Sequence, residues 1–274
     1  MDMMKRITCL IAGLLTLTLC AVSSFAKDYR YERDIPYRPA SDTLSTNKMC
    51  RLDIAYLEDN TNAPVIVWFH GGGLTGGHRE LPQALRVEPF VLIGVEYRLS
   101  PEASTDETID DAAAAVAWAF DNAAKYGGSP DKIYIAGHSA GGYLVNMVGL
   151  DKARLAKYGK DADKIAAIIP YSGHAITHYN TREKMGMPPH QALIDSTAPI
   201  YYVRKDAPPM LIISGDREME LYGRYEETAY FWRMLKLAGH PDVILRELDG
   251  FDHGGMAAPG HLLTIKYIRD RERK

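Results

Sequence analysis

The chain has 274 residues, of which 46% are hydrophobic and 24% are charged. This is the composition of an ordinary globular protein, and the length is enough for one large α/β domain with a full apolar core. The formal net charge is -3, so no basic surface favours nucleic acid as a partner.

Residues 1–26 have the pattern of a signal peptide. Lys5 and Arg6 precede an almost unbroken apolar run over 7–22, and Ser24 and Ala26 are small residues at the positions that signal peptidase reads. We expect cleavage after Ala26, which leaves an exported domain, periplasmic or secreted, with no membrane span. An uncleaved membrane anchor is the alternative, but the run is shorter than the ~20 apolar residues of a spanning helix.

The cysteines give a second alternative for this segment. Cys9 and Cys20 both lie in it, and lipoprotein processing at Cys20 would require a small residue where the chain has the bulky Leu19. Only Cys50 remains in the mature chain, residues 27–274. We therefore expect no internal disulfide, so that the mature domain is stabilised by its core.

The mature chain alternates strands with helices. Two runs of β-formers, 31–39 and 50–57, predict an opening antiparallel hairpin around a polar stretch. The run 64–69 is apolar on both faces, as in a parallel sheet covered by helices, and similar runs follow it. The further predicted strands are 90–95, 133–136, 165–169, 210–214 and 243–248. The predicted helices are 105–125, 140–150, 222–238 and 262–271.

This alternation predicts a doubly wound, mostly parallel sheet with helices on both faces and with its functional groups at the carboxyl ends of the strands. The segment 173–207 is the one long connection without clear periodicity. A connection of that length is usually functional, and we interpret it as a small lid or pocket wall.

The sequence Gly137-His138-Ser139-Ala140-Gly141 matches G-x-S-x-G between a predicted strand and a predicted helix. In that context the serine lies on a sharp, strained turn with its hydroxyl exposed, whereas a glycine-rich loop would be the alternative reading.

Upstream, His70-Gly71-Gly72-Gly73 follows a strand directly. Three consecutive glycines allow backbone N–H groups to approach a ligand closely, as an oxyanion hole requires.

A serine hydroxyl needs a histidine to accept its proton and a carboxylate to orient that histidine. His253 follows the last predicted strand and lies downstream of an acidic loop, which makes it the candidate base. The acid is expected after strand 210–214, where Asp216, Glu218 and Glu220 are all available. Asp216 could instead accept amides in the turn, and Glu220 could lie at the start of the following helix.

These motifs resemble the hormone-sensitive-lipase-like branch of the α/β-hydrolases, a group of small esterases and lipases. The resemblance is carried by HGGG at 70–73, EYRLSPE at 96–102, GHSAGG at 137–142 and GFDHGG at 250–255. It implies that Ser139 is the nucleophile, that His253 is the base, and that the amides of Gly72, Gly73 and Ala140 form the oxyanion hole. The family register places the acid at Glu218, where relatives have aspartate. The long helical cap of many relatives has no counterpart here.

The resulting expectation is an α/β-hydrolase that cleaves short-chain esters of small molecules, including acetylated sugars, through an acyl-enzyme. It implies no cofactor and no metal. An amidase or peptidase of the same fold is the rival enzyme. A catalytically silent binding protein of this fold is the other rival, although such proteins typically lose the serine or the histidine.

Overall fold

A computed structural model describes residues 28–40, 43–188, 190–221 and 223–273. The proposed signal peptide lies outside the described residues. The described residues form eight strands, which are β1 (Tyr29–Pro36), β2 (Arg51–Leu57), β3 (Ala63–Phe69), β4 (Val91–Val95), β5 (Gly128–His138), β6 (Ala167–Tyr171), β7 (Met210–Gly215) and β8 (Val243–Leu248). The α-helices are α1 (Leu44–Met49), α2 (Thr105–Asn122), α3 (Ala140–Leu150), α4 (Lys152–Ala156), α5 (Tyr179–Lys184), α6 (Arg224–Leu237) and α7 (Ala257–Glu272).

All eight strands form one sheet in the order β1-β2-β4-β3-β5-β6-β7-β8. The pairs β1/β2 and β2/β4 are antiparallel, and every pair from β4 through β3 to β8 is parallel. The expected doubly wound, mostly parallel sheet is therefore confirmed. The expected hairpin is also antiparallel, but a short helix, α1, lies in its polar connection.

The sheet separates two apolar cores because consecutive residues of a strand point to opposite faces. On β3, Val65, Val67 and Phe69 join the core beneath α2 and α3. Ile66 and Trp68 join the second core, against which α7 packs. Strands buried on both faces in this way explain the unbroken apolar runs of the sequence.

Helix boundaries follow local signals. Helix α2 begins with a capping box, in which Ser104 accepts the Glu107 amide and the Glu107 carboxylate accepts the Ser104 amide. Helix α7 begins at Ala257, earlier than the predicted start at residue 262. Pro259 is tolerated there because it lies in the first turn, where a missing amide costs no hydrogen bond. No helix in the described part of the chain is long and apolar enough to span a membrane.

The segment 173–207 follows β6 and contains α5. Its beginning is tied to α6, because the Glu227 carboxylate accepts the amides of Ala175 and Ile176 at 3.0 and 3.1 Å. Its later part is tied to α3, because the Tyr143 hydroxyl donates to the Thr197 carbonyl at 2.6 Å. Hydrogen bonds to two helices therefore anchor this segment.

Candidate active site

Ser139 lies on a turn one residue long between β5 and α3, with φ 55° and ψ -113°. A non-glycine residue at positive φ is strained and persists only where its surroundings enforce it. Here the Ser139 amide donates to the Tyr171 carbonyl at 2.8 Å. Close packing adds a second constraint, since a Cβ on Gly141 would come 2.0 Å from the Phe69 carbonyl oxygen. The neighbouring strands therefore hold the serine in its strained conformation.

His253 lies between Ser139 and a carboxylate. Its Nε2 is 2.9 Å from the Ser139 hydroxyl, and its Nδ1 is 2.8 Å from Oε2 of Glu220. A carboxylate accepts only, so Nδ1 carries the proton and Nε2 is free to accept from the serine. This is the tautomer that a general base at this position requires.

The structure corrects the expected acid. Glu218 is exposed, whereas the side chain of Glu220 is 1% exposed and contacts His253. The reason is the turn at Asp216, whose carboxylate accepts the amides of Glu218 and Gly250 at 2.9 and 2.7 Å. That turn directs Glu218 to the solvent and Glu220 to the interior. The alternative role of Asp216 is therefore observed, and the expected placement of Glu220 at a helix start is wrong.

Glu220 is held as an anion. Burial alone would raise the pKa of this carboxyl, but hydrogen bonds from His253 and Ser172 outweigh burial and lower the pKa to about 2. The backbone amides of Gly215 and Leu221 also donate to it, both at 3.1 Å. A carboxylate with four donors stays ionised beside the histidine at any pH near neutrality.

His138 holds the backbone of the His253 loop. Its Nε2 lies 2.7 Å from the carbonyl oxygen of His253, to which it donates. Burial lowers the pKa of His138, so this imidazole is neutral. The second residue of the G-x-S-x-G motif thus fixes the loop that carries the candidate base.

The glycine loop after β3 contacts the serine turn. A Cβ on Gly71 would lie 3.3 Å from the Cβ of Ser139. Gly72 and Gly73 have φ of 117° and 65°, and neither donates its amide to a described residue. Ala140 is the first residue of α3, where backbone amides have no partner within the helix. The glycine loop thus reaches the serine turn at Gly71, and Ala140 directly follows the serine.

The motif at residues 96–102 supports this loop. Oε1 of Glu96 lies 3.0 Å from Nε2 of His70, and the ring of Tyr97 stacks on the His70 ring with centroids 4.3 Å apart. The Tyr97 hydroxyl also donates to the His70 carbonyl at 2.7 Å. The two residues that follow β4 thus fix His70, which begins the glycine loop.

A buried network that the sequence did not reveal lies beside Glu220. Arg224 donates to the carbonyl of Ser172, to Nε2 of His174 at 2.6 Å and to Glu227 at 2.9 Å. Burial and the Arg224 charge lower the pKa of His174, so its ring is neutral and accepts from the guanidinium. Ser172 directly follows β6, but the predicted strand ended at residue 169, so its position at a strand end was not predicted.

A cleft adjoins this site. It is bounded by Tyr179, whose hydroxyl would be 2.0 Å from a Cβ on Gly73, and by Leu221, which follows the acid. Buried Arg182 and Arg224 and the exposed Glu183 contribute charged groups to its wall. Among the described residues, no group of His, Cys, Asp or Glu side chains is arranged to hold a metal ion.

The sheet, the strained serine between strand and helix, and the downstream histidine and carboxylate define an α/β-hydrolase, as expected from the motifs. The chain belongs to the BD-FAE family, whose model matches residues 52–221.

Similarity to named proteins agrees with this family. Esterase LipQ of Mycobacterium tuberculosis is 28% identical over 243 residues, which are 80% of this chain and 56% of that protein. The chain thus spans about half the length of this relative. Esterase LipC of the same organism is 28% identical over 70% of this chain and 53% of its own length.

Solved structures share the fold. A truncated carbohydrate esterase from gut microbiota has a TM-score of 0.73 and 19% identity, covering 92% of this chain and 99% of its own. Propionate-bound esterase 2 of Thermogutta terrifontis has a TM-score of 0.67 and 21% identity, covering 87% and 93%. At these identities the likeness establishes the architecture, and the chemistry must be argued from the site.

The lowered pKa of Glu220 predicts a pH-dependent contribution to stability. Because the folded pKa, about 2, lies below the ordinary 4.5, the contribution is complete above pH 4.5 and is lost as the pH falls toward 2. This contribution to the free energy of unfolding is on the order of 2–3 kcal/mol. Urea unfolding from pH 7 to pH 3 should therefore show the free-energy difference between the parent and Glu220→Gln shrinking with acidity. The exposed Glu218→Gln is the control, and a pH-independent difference for Glu220→Gln would contradict the prediction.

Proposed function

We propose that this chain is an exported serine carboxylesterase that cleaves short-chain acyl esters of small molecules. The observation that carries the proposal is the continuous chain of hydrogen bonds from Ser139 through His253 to Glu220, beside a glycine loop with free amides. The esterases among its relatives support it.

In the proposed reaction, His253 accepts the Ser139 proton at Nε2 while the serine oxygen bonds to the ester carbonyl carbon. The carbonyl oxygen becomes an oxyanion, which the amides of Gly72, Gly73 and Ala140 stabilise. Nε2 then gives its proton to the departing alcohol, leaving an acyl-serine. Water, deprotonated by His253, adds to this acyl group, and collapse of the second intermediate releases the acid and restores the serine.

The charged cleft wall favours small and polar substrates. A long alkyl chain would cover the exposed Glu183 carboxylate of this wall and remove its water without replacing the hydrogen bonds, which costs free energy. Hydroxyl groups of an esterified sugar would instead find donors and acceptors there. The name of the carbohydrate esterase with the same fold supports sugar esters as candidates.

The two rival functions receive less support. An amidase or peptidase of this fold would need further specificity elements, and the relatives compared are named esterases. A non-catalytic binding protein would have no use for a serine at positive φ joined to a histidine and a buried carboxylate.

Removal of the Ser139 hydroxyl tests the mechanism. Ser139→Ala should lower kcat for p-nitrophenyl acetate by a factor on the order of 10⁴ to 10⁶, because only the oxyanion hole and binding remain. Circular dichroism and thermal unfolding should show the parent fold, since alanine is smaller than serine. A variant nearly as active as the parent would refute the nucleophile.

Acyl length tests the reading of the cleft. Among p-nitrophenyl esters, we expect kcat/KM to be highest between acetyl and butyryl and at least about tenfold lower at decanoyl. In a matching apolar pocket, by contrast, each added methylene would raise kcat/KM by roughly tenfold or more. A maximum at decanoyl would mean that an apolar acyl channel exists beside the triad.

The matched amides Glu220→Gln and Glu218→Gln test the acid. An amide at the acid position can hold the histidine in the wrong tautomer, so Glu220→Gln should lower kcat by up to about 10⁴. Glu218→Gln changes an exposed side chain and should retain the parent kcat. The reverse ranking, in two folded variants, would restore the family register.

A further inference from the structure

Ser172 occupies a strained position beside the triad. It follows β6 directly, has φ 47° and is 1% exposed. A left-handed conformation is strained for a non-glycine residue, and glycine would adopt it without strain. The next residue, Gly173, shows that glycine occurs in this turn. The serine side chain must therefore compensate for its unfavourable backbone.

The Ser172 hydroxyl contacts both partners of the acid–base pair. Its Oγ lies 3.0 Å from Nδ1 of His253, the same atom that Oε2 of Glu220 contacts at 2.8 Å, so the hydroxyl and the carboxylate lie side by side at one N–H group. A hydrogen bond from this hydroxyl is also among the causes that lower the pKa of Glu220. Nδ1 carries the proton that faces the carboxylate, so its N–H group donates to both Glu220 and the Ser172 hydroxyl. The hydroxyl in turn donates its own proton to Glu220. These three polar groups thus form a closed triangle.

The backbone of Ser172 is fixed as well. Its amide donates to the Ile213 carbonyl at 2.7 Å, and its carbonyl accepts from the guanidinium of Arg224. The Arg224 side chain is 3% exposed and is itself held by Glu227 and His174. A hydroxyl on so rigid a support can define the position of whatever it binds.

We propose that Ser172 is a positioning residue of the active site, whose hydroxyl orients the Glu220 carboxylate toward Nδ1 of His253. The inference rests on the proposed esterase function, in which Glu220 orients the base. Ser172 takes no proton from the substrate and forms no bond to it. It restricts the carboxylate to the orientation in which Oε2 faces the imidazole.

Two variants separate this role from a structural one. Ser172→Gly and Ser172→Ala both lose the hydroxyl, but only glycine relieves the positive φ. We expect kcat for p-nitrophenyl acetate to fall about 10- to 100-fold in both, which is the effect of one hydrogen bond to a charged group. KM should stay unchanged, and the glycine variant should be at least as thermally stable as the alanine variant. Turnover that follows stability instead would overturn the positioning role.

A double-mutant cycle identifies the group through which Ser172 acts. If it acts through the carboxylate, Ser172→Gly should cause little further loss of kcat in a Glu220→Gln background, because coupled residues are not additive. Equal losses in both backgrounds would overturn the inference, as would a Ser172→Gly variant with parent kcat.

The same assay separates this inference from the proposed function. A parent with no Ser139-dependent esterase activity would overturn both. An active parent whose turnover is insensitive to Ser172 would overturn the positioning role alone.

Discussion

The register of the parallel strands is the constraint on which the site depends. Gly137 of β5 pairs with Phe69 of β3 and with Pro170 of β6, and Gly215 of β7 pairs with Leu248 of β8. Parallel strands in this register end at one edge, so the residues that follow them meet there. Those residues begin the glycine loop, the serine turn, the Ser172 turn and the loops of Glu220 and His253. A slip of one residue would reverse the faces of a strand and separate these groups.

Much of this arrangement could be predicted because local sequence patterns determine it. Helix α3 and strand β8 have the predicted bounds, since apolar runs between clear turn residues leave few alternatives. Helix α1 was missed because it is six residues long and lies in a polar stretch without an apolar period. Ser139 and His253 were brought together as expected, because each lies in a motif at the end of a strand.

The carboxylate that contacts His253 could not be found by counting along the chain. Three carboxylates lie within a few residues of the end of β7: Asp216, Glu218 and Glu220. The directions of their side chains depend on a turn closed by the Gly250 amide. Gly250 is distant in sequence, so only the folded chain shows which carboxylate is buried. Glu220 also reaches further than aspartate would, which suits a residue five positions beyond the strand's last glycine, Gly215.

Two strained serines lie at adjacent strand ends. Ser139 follows β5, Ser172 follows β6, and the Ser139 amide donates to the carbonyl of Tyr171, the residue just before Ser172. Each unfavourable conformation would relax if its neighbour were absent, so the two turns support each other through this bond. His253 spans them, with Nε2 on the first hydroxyl and Nδ1 near the second. The imidazole is therefore positioned between two rigid strand ends as well as by the loop that carries it.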